Sequence, residues 1–175
     1  MNISKVVGFA TLMLMSASVV HANVIVEFIE GAPKDRFVVT NTGQCLLQGL
    51  RVDIDLINTT GGLIFDTTAT GAGVQVFQPF EVSSGDIALN VKARVNDGDT
   101  ELSITIASIQ PMASVGFTID VDDTVRNSEL GMIIVSASEM EGGMVTVTQG
   151  FFASSGVFGR NSSATVIMAS CKCAA

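Results

Sequence analysis

Two short segments hold most of the chemistry this sequence can offer. Phe117-Thr118-Ile119-Asp120-Val121-Asp122-Asp123-Thr124 sets three carboxylates in four positions at the end of an alternating run, and Asn96-Asp97-Gly98-Asp99-Thr100-Glu101 sets three more at every second residue around a turn. Calcium takes about six to eight oxygens from carboxylates and carbonyls, and loops at one end of a β-sandwich can supply them. Neither segment has EF-hand spacing: counted from Asp120, the sixth position is Val125 and the twelfth is Gly131, and counted from Asp97 the sixth is Leu102. The competing reading is a solvated acidic rim that keeps a domain soluble. The sequence leaves both open. The candidate metal ligands are Asp97, Asp99, Asp120, Asp122 and Asp123.

Other chemistry is scarce. The chain has no Trp, no Tyr and one histidine, His21, so imidazole bases, histidine metal ligands and tyrosine acids are missing once the first segment is removed. Paired carboxylates also permit glycoside hydrolysis, but sugar sites favour aromatic platforms and only Phe is on hand. A serine nucleophile would need a lysine base, and beyond residue 22 only Lys34, Lys92 and Lys172 remain, none in Ser-x-x-Lys spacing. The glycines fall in turns, with no P-loop or dinucleotide fingerprint. A pI near 4.4 disfavours nucleic acid and anionic membranes as partners. The balance of residue types predicts a protein that is not an enzyme.

The N-terminus reads as an address. Lys5 precedes the apolar run from Val6 to Met15, and small residues lead to Val20-His21-Ala22, the pattern of a secretory signal peptide cleaved between Ala22 and Asn23. The run is shorter than the about 20 residues of a spanning helix. Cleavage leaves residues 23–175 as one exported domain with eight basic and seventeen acidic side chains, a net charge of −9, and no integral membrane span. Export also permits disulfides. Of Cys45, Cys171 and Cys173, a bridge from Cys45 to Cys171 is favoured, which would close a long loop and fasten the last strand. The leftover thiol stays free or joins another chain. A Cys-x-Cys metal site lacks the companion ligands zinc requires. Asn58-Thr59-Thr60 and Asn161-Ser162-Ser163 fit the glycosylation sequon, which matters only in a eukaryotic secretory pathway.

What must position the carboxylates is a set of strands. Apolar and polar residues alternate in Asn23–Glu30, with Val24, Val26 and Phe28 on one face, and in Arg51–Ile57, with Val52, Ile54 and Leu56 inward and Asp53 and Asp55 outward. Further strands are expected over Phe37–Asn41, Leu63–Asp66, Ile87–Val95, Glu101–Ala107, Val115–Val121, Met132–Ser138, Met144–Thr148 and Thr165–Ala169. Gly61-Gly62, Gly71-Ala72-Gly73, Ser84-Gly85, Asn96-Asp97-Gly98 and Gly142-Gly143 separate them. Phe65, Phe77, Phe80 and Phe117 are expected in the core, whereas adjacent Phe151 and Phe152 would face opposite sides, one of them exposed. No helical pattern of useful length occurs. About ten short strands at even spacing predict an all-β, antiparallel β-sandwich, Ig-like or jelly-roll.

Three stretches carry a resemblance: Phe28-Ile29-Glu30-Gly31-Ala32-Pro33-Lys34-Asp35-Arg36-Phe37; Gly62-Leu63-Ile64-Phe65-Asp66 through Gly71-Ala72-Gly73-Val74-Gln75-Val76-Phe77-Gln78-Pro79-Phe80-Glu81; and Phe117 to Thr124. Together they resemble small secreted bacterial proteins described as aggregation-factor core-like, after the core protein of the sponge aggregation factor. The similarity runs to about Val147. It implies an extracellular, non-enzymatic role, since the namesake acts in calcium-dependent cell adhesion, and it supplies no ligand residues. The resulting expectation is a secreted binding or adhesion module, with calcium as a candidate cofactor and a cell-surface glycan, a protein or another copy as partner. The alternatives are a structural subunit of a surface fibre or layer and an acidic-pair glycoside hydrolase.

Overall fold

Alternation along the chain becomes alternation between a buried and an exposed face. In β1 (Asn23–Ile29) the side chains of Val24, Val26 and Phe28 are buried. In β3 (Leu47–Asp55) Leu50, Val52 and Ile54 point inward, while Asp53 and Asp55 stay partly exposed. The computed structural model describes residues 23–31, 34–74, 77–87, 95–125, 130 and 134–168. Among these lie twelve strands, the others being β2 (Arg36–Asn41), β4 (Ile64–Asp66), β5 (Glu81–Ser84), β6 (Asp86–Ile87), β7 (Glu101–Ile109), β8 (Ser114–Thr118), β9 (Asp120–Asp122), β10 (Met144–Gln149), β11 (Phe152–Val157) and β12 (Ser163–Ile167). Residues 1–22, expected to be a signal peptide, and Cys171 and Cys173 lie outside the described residues.

The strands form two five-stranded sheets, ordered β12-β1-β2-β8-β5 and β11-β10-β3-β7-β6, and a separate ribbon of β4 with β9. Every strand pairing is antiparallel. Inward side chains of both sheets and of the ribbon share one buried apolar cluster, the defining feature of a β-sandwich. Among the described residues no helix is long and apolar enough to cross a membrane.

Phe37 sits at the centre of this core. Its ring stacks on Phe117 at 5.3 Å between centroids, tilts against Phe28 at 5.2 Å and reaches Phe65 of the ribbon at 6.4 Å. The ribbon is thus tied to the first sheet through aromatic contacts.

Several expectations need correction. The run expected over Met132–Ser138 is not a strand where it is described: Ser136 and Glu139 close a turn on each other, the Ser136 amide donating to Glu139 Oε2 and the Glu139 amide to the Ser136 carbonyl, while Val135 alone enters the core. Val115–Val121 is two strands, because the chain leaves the first sheet at Ile119 and re-pairs with β4. Of Ile87–Val95 only Ile87 is in a described strand, and 88–94 lie outside the described residues. Strands β5 and β11 are additions. Their sequences, Glu81-Val82-Ser83-Ser84 and Phe152-Ala153-Ser154-Ser155-Gly156-Val157, carry little apolar alternation because both lie at sheet edges, where pairing on one side suffices. Phe77 is partly exposed rather than buried, and Phe151 and Phe152 are both exposed because they form the tip of the β10–β11 hairpin.

Truncating Phe37 should therefore leave a cavity that touches both a sheet and the ribbon. Phe37→Ala is expected to lower the free energy of unfolding in urea by about 3–5 kcal/mol, whereas Phe152→Ala, on the surface, should change it by less than about 0.5 kcal/mol.

Candidate functional site

The β4–β9 ribbon is where the sequence places carboxylates on a buried surface. Its register pairs Ile64 with Asp122, Phe65 with Val121 and Asp66 with Asp120. Side chains opposite one another in an antiparallel pair share a face. Phe65 and Val121 accordingly enter the apolar core, and Asp66, Asp120 and Asp122 gather on the other face with Ile64. That face is covered too. Asp66, Asp120 and Asp122 are 0%, 2% and 1% exposed, and Asp123, just beyond the strand, is 1% exposed.

Three neighbouring segments close over this face. Beyond β4 the chain runs through Gly71-Ala72-Gly73 and returns close enough that the Val74 amide donates to Asp122 Oδ2 at 2.7 Å. A Cβ on Gly73 would overlap both Asp122 Oδ2 and Asp66 Oδ2, and one on Gly71 would overlap the Asp97 carboxylate, so only glycine permits this approach. Asp97 organises the same loop: Oδ1 accepts the amides of Thr67 and Thr68 at 2.8 and 2.9 Å, and Oδ2 accepts that of Ala72 at 2.8 Å. From the other side, Asp35 Oδ2 accepts the Val121 amide at 3.0 Å, Asp35 Oδ1 accepts the Gly31 amide at 3.1 Å, and the Asp35 carbonyl accepts the Ile119 amide. Backbone bonds between Phe65 and the 98–99 turn, 2.9 Å in each direction, hold that turn beside β4.

The electrostatics follow from this geometry. Burial raises the Asp120 carboxyl to about 8, with the charges of Asp122, Asp35 and Asp66 adding to the shift. Burial likewise raises Asp66 and Asp35 to about 7, and moves Asp122 upward. Asp97 moves the other way, to about 2, because the Thr67 amide leads a set of backbone donors that stabilise its charge. The charges of Asp122 and Asp97 add to the upward shift of Asp66. No donor reaches Asp66 Oδ2, Asp120 Oδ2 or Asp122 Oδ1, all of them buried. Such atoms need a proton or a cation. Among the described residues no three Asp, Glu, His or Cys side chains already stand as a metal-ligand set. Bringing oxygens onto one ion requires these carboxyls to turn away from one another.

Of the candidate ligands read from the sequence, the structure brings Asp97, Asp120 and Asp122 into this cluster and places Asp123 at its margin. Asp99 is not part of it: its Oδ2 accepts the amide and the side-chain nitrogen of Asn96 at 2.6 and 2.9 Å and so closes its own turn. Asp66 and Asp35 were not among the candidates. Each is a single acidic residue beside an apolar strand, and nothing local signals that β4 will pair with β9 or that the 31–35 turn will reach Val121. Cys45 is buried, and no free cysteine occurs among the described residues. A separate open groove on the outer face of the second sheet, about 1040 Å³, is lined by Arg51, Asp53, Asp55, Asp99, Glu101 and neighbours, and the buried aspartates do not border it. No family model matches this chain, and no curated protein matches it significantly.

The raised carboxyls make stability fall with rising pH. Asp35, Asp66 and Asp120 keep a proton in the folded chain up to about 7 or 8 and lose it near 3.8 when unfolded, so their contribution is full below that lower value and is lost as pH rises through the folded values. Asp97 contributes the opposite slope only below its ordinary range. The metal-free protein should melt at a lower temperature at pH 8.5 than at pH 5.5, and Asp120→Asn should flatten that difference. A melting temperature that climbs over the same range in chelator would contradict the assignment.

Proposed function

We propose that this chain is a secreted, non-enzymatic binding or adhesion module whose acidic end is stiffened by calcium. The observation that supports it best is the buried aspartate cluster at the loop end of the sandwich, with carboxylate oxygens that no donor reaches. Calcium suits such a group: it accepts irregular carboxylate geometry, and its double charge offsets the repulsion among the aspartates. An ion there would couple the 31–35 turn, the 67–74 loop and the 96–99 turn, which the cluster joins. The resemblance to aggregation-factor core-like proteins agrees with a role at the cell exterior, as does the signal-peptide pattern of residues 1–22.

A hydrolase needs its acidic pair beside a substrate. Here the groove carboxylates are Asp53, Asp55, Asp99 and Glu101, while Asp66, Asp120 and Asp122 are buried and do not border the groove.

The Phe151–Phe152 tip is the proposed partner-facing surface. Met144 of β10 pairs with Asp55, whose other neighbour is Glu101 beside the acidic turn, while Gln149 pairs with Phe152 and Leu50 at the far end. The Phe151–Phe152 tip thus stands at the opposite end of the second sheet from the acidic turn. Two exposed aromatic rings at a hairpin tip suit contact with a surface glycan, a protein or another copy. The same tip, beside the edge strand β11, supports the second reading, a subunit of a surface fibre or layer. A Cys45–Cys171 bridge belongs to this proposal and would secure the C-terminal segment in an oxidising compartment.

Calorimetric titration of the mature protein with calcium at pH 8 should give saturable heat, and calcium should raise the melting temperature relative to chelator. Absence of both would contradict the calcium part of the proposal. Light scattering with and without reductant separates the two readings: a strict monomer in both conditions counts against the fibre subunit.

A further inference from the structure

Within the acidic cluster, the aspartates divide into two kinds by what their oxygens already do. Both oxygens of Asp97 are committed to backbone amides of the 67–72 stretch, and both oxygens of Asp35 to the amides of Gly31 and Val121. These carboxylates fold the loops. By contrast, Asp66 Oδ2, Asp120 Oδ2 and Asp122 Oδ1 are buried without a donor, on side chains that are 0%, 2% and 1% exposed. The β4–β9 register puts Asp66 opposite Asp120, and Asp122 Oδ2 and Asp66 Oδ2 both crowd the bare Cα of Gly73.

Resting on the calcium reading above, we infer that Asp66, Asp120 and Asp122 are the calcium ligands, and that Asp97 and Asp35 are positioning residues that hold the ligand-bearing segments. This ligand set differs from the one the sequence suggests. It draws its ligands from two paired strands, adds Asp66, and leaves out Asp97, Asp99 and Asp123. Three carboxylates supply part of the six to eight oxygens calcium takes, and main-chain carbonyls or water complete the shell. Binding turns the three carboxyls from one another toward the ion and removes the like-charge crowding between them. Magnesium, which demands near-ideal octahedral geometry and sheds water reluctantly, is the poorer fit to so dry and irregular a place.

The physical consequence is a clasp. The ion joins the end of β4 to β9, and through Asp122 and the Val74 amide it also fixes the return of the 67–74 loop. Order in that loop then depends on calcium, whereas order in the sandwich sheets does not.

The test uses the mature protein with calcium chloride as titrant at pH 8. Asp66→Asn, Asp120→Asn and Asp122→Asn keep side-chain volume, remove one charge each and are each expected to raise the calcium dissociation constant by at least about ten-fold. Asp97→Asn should weaken binding by about 10- to 100-fold through its effect on position and should also speed amide exchange at Thr67, Thr68 and Ala72 in chelator. Asp99→Asn should leave the constant unchanged. If the wild type binds no calcium, the reading under the proposed function falls and this inference with it. If the wild type binds but Asp120→Asn and Asp66→Asn bind equally well, only the ligand set is overturned; if magnesium binds more tightly than calcium, the choice of calcium under the proposed function is overturned. Should a variant fail to show a cooperative thermal transition, the wild type decides alone: hydrogen exchange at the Val74 and Val121 amides must slow on adding calcium while exchange in β3 and β7 stays constant, and uniform or absent protection overturns the clasp.

Discussion

A carboxylate that loses its water must find a proton, a donor or a cation, because the charged form is costly to bury. At the loop end of this sandwich Asp35, Asp66, Asp120 and Asp122 meet that demand in one small volume. Amides satisfy some oxygens, and those bonds are what hold the 31–35 turn, β9 and the 67–74 loop in place. Other oxygens have no donor at all. The arrangement is thus both the glue of the loop end and a standing source of strain, which a proton relieves at low pH and which a divalent cation would relieve at high pH.

The rest of the fold supplies the lid and the floor. Phe65 and Val121 face the core from the ribbon and anchor it against the aromatic cluster of Phe37, Phe117 and Phe28. The ribbon's alternation, apolar side chains inward and carboxylates on the covered face, makes the two roles inseparable. The edges of the two five-stranded sheets and the exposed Phe151–Phe152 tip lie outside this cluster.

How much of this was legible in the sequence depended on range. The sandwich class was, because period-two patterning in segments such as Arg51–Ile57 dictates one buried face wherever the strand is placed. Asp120 and Asp122 were legible as a cluster because they are two residues apart on one strand. Asp66 and Asp35 were not, since their roles arise from the pairing of β4 with β9 and from a turn that reaches Val121, contacts far apart in the chain. Asp99 shows the opposite case: local spacing groups it with Asp97, while its Oδ2 accepts from the neighbouring Asn96. Val135 shows the same limit, being an apolar residue that reaches the core from a turn, not from a strand.

In the proposed site, oxygens of Asp66, Asp120 and Asp122 share one calcium ion. A crystal structure of the mature protein grown in calcium chloride, with anomalous data collected, tests it most directly. One strong anomalous peak is expected at about 2.3–2.6 Å from oxygens of all three side chains, with Asp97 and Asp35 still bonded to their amides. A calcium peak at Asp99 or in the outer groove, with Asp66, Asp120 and Asp122 still turned on each other, would contradict it.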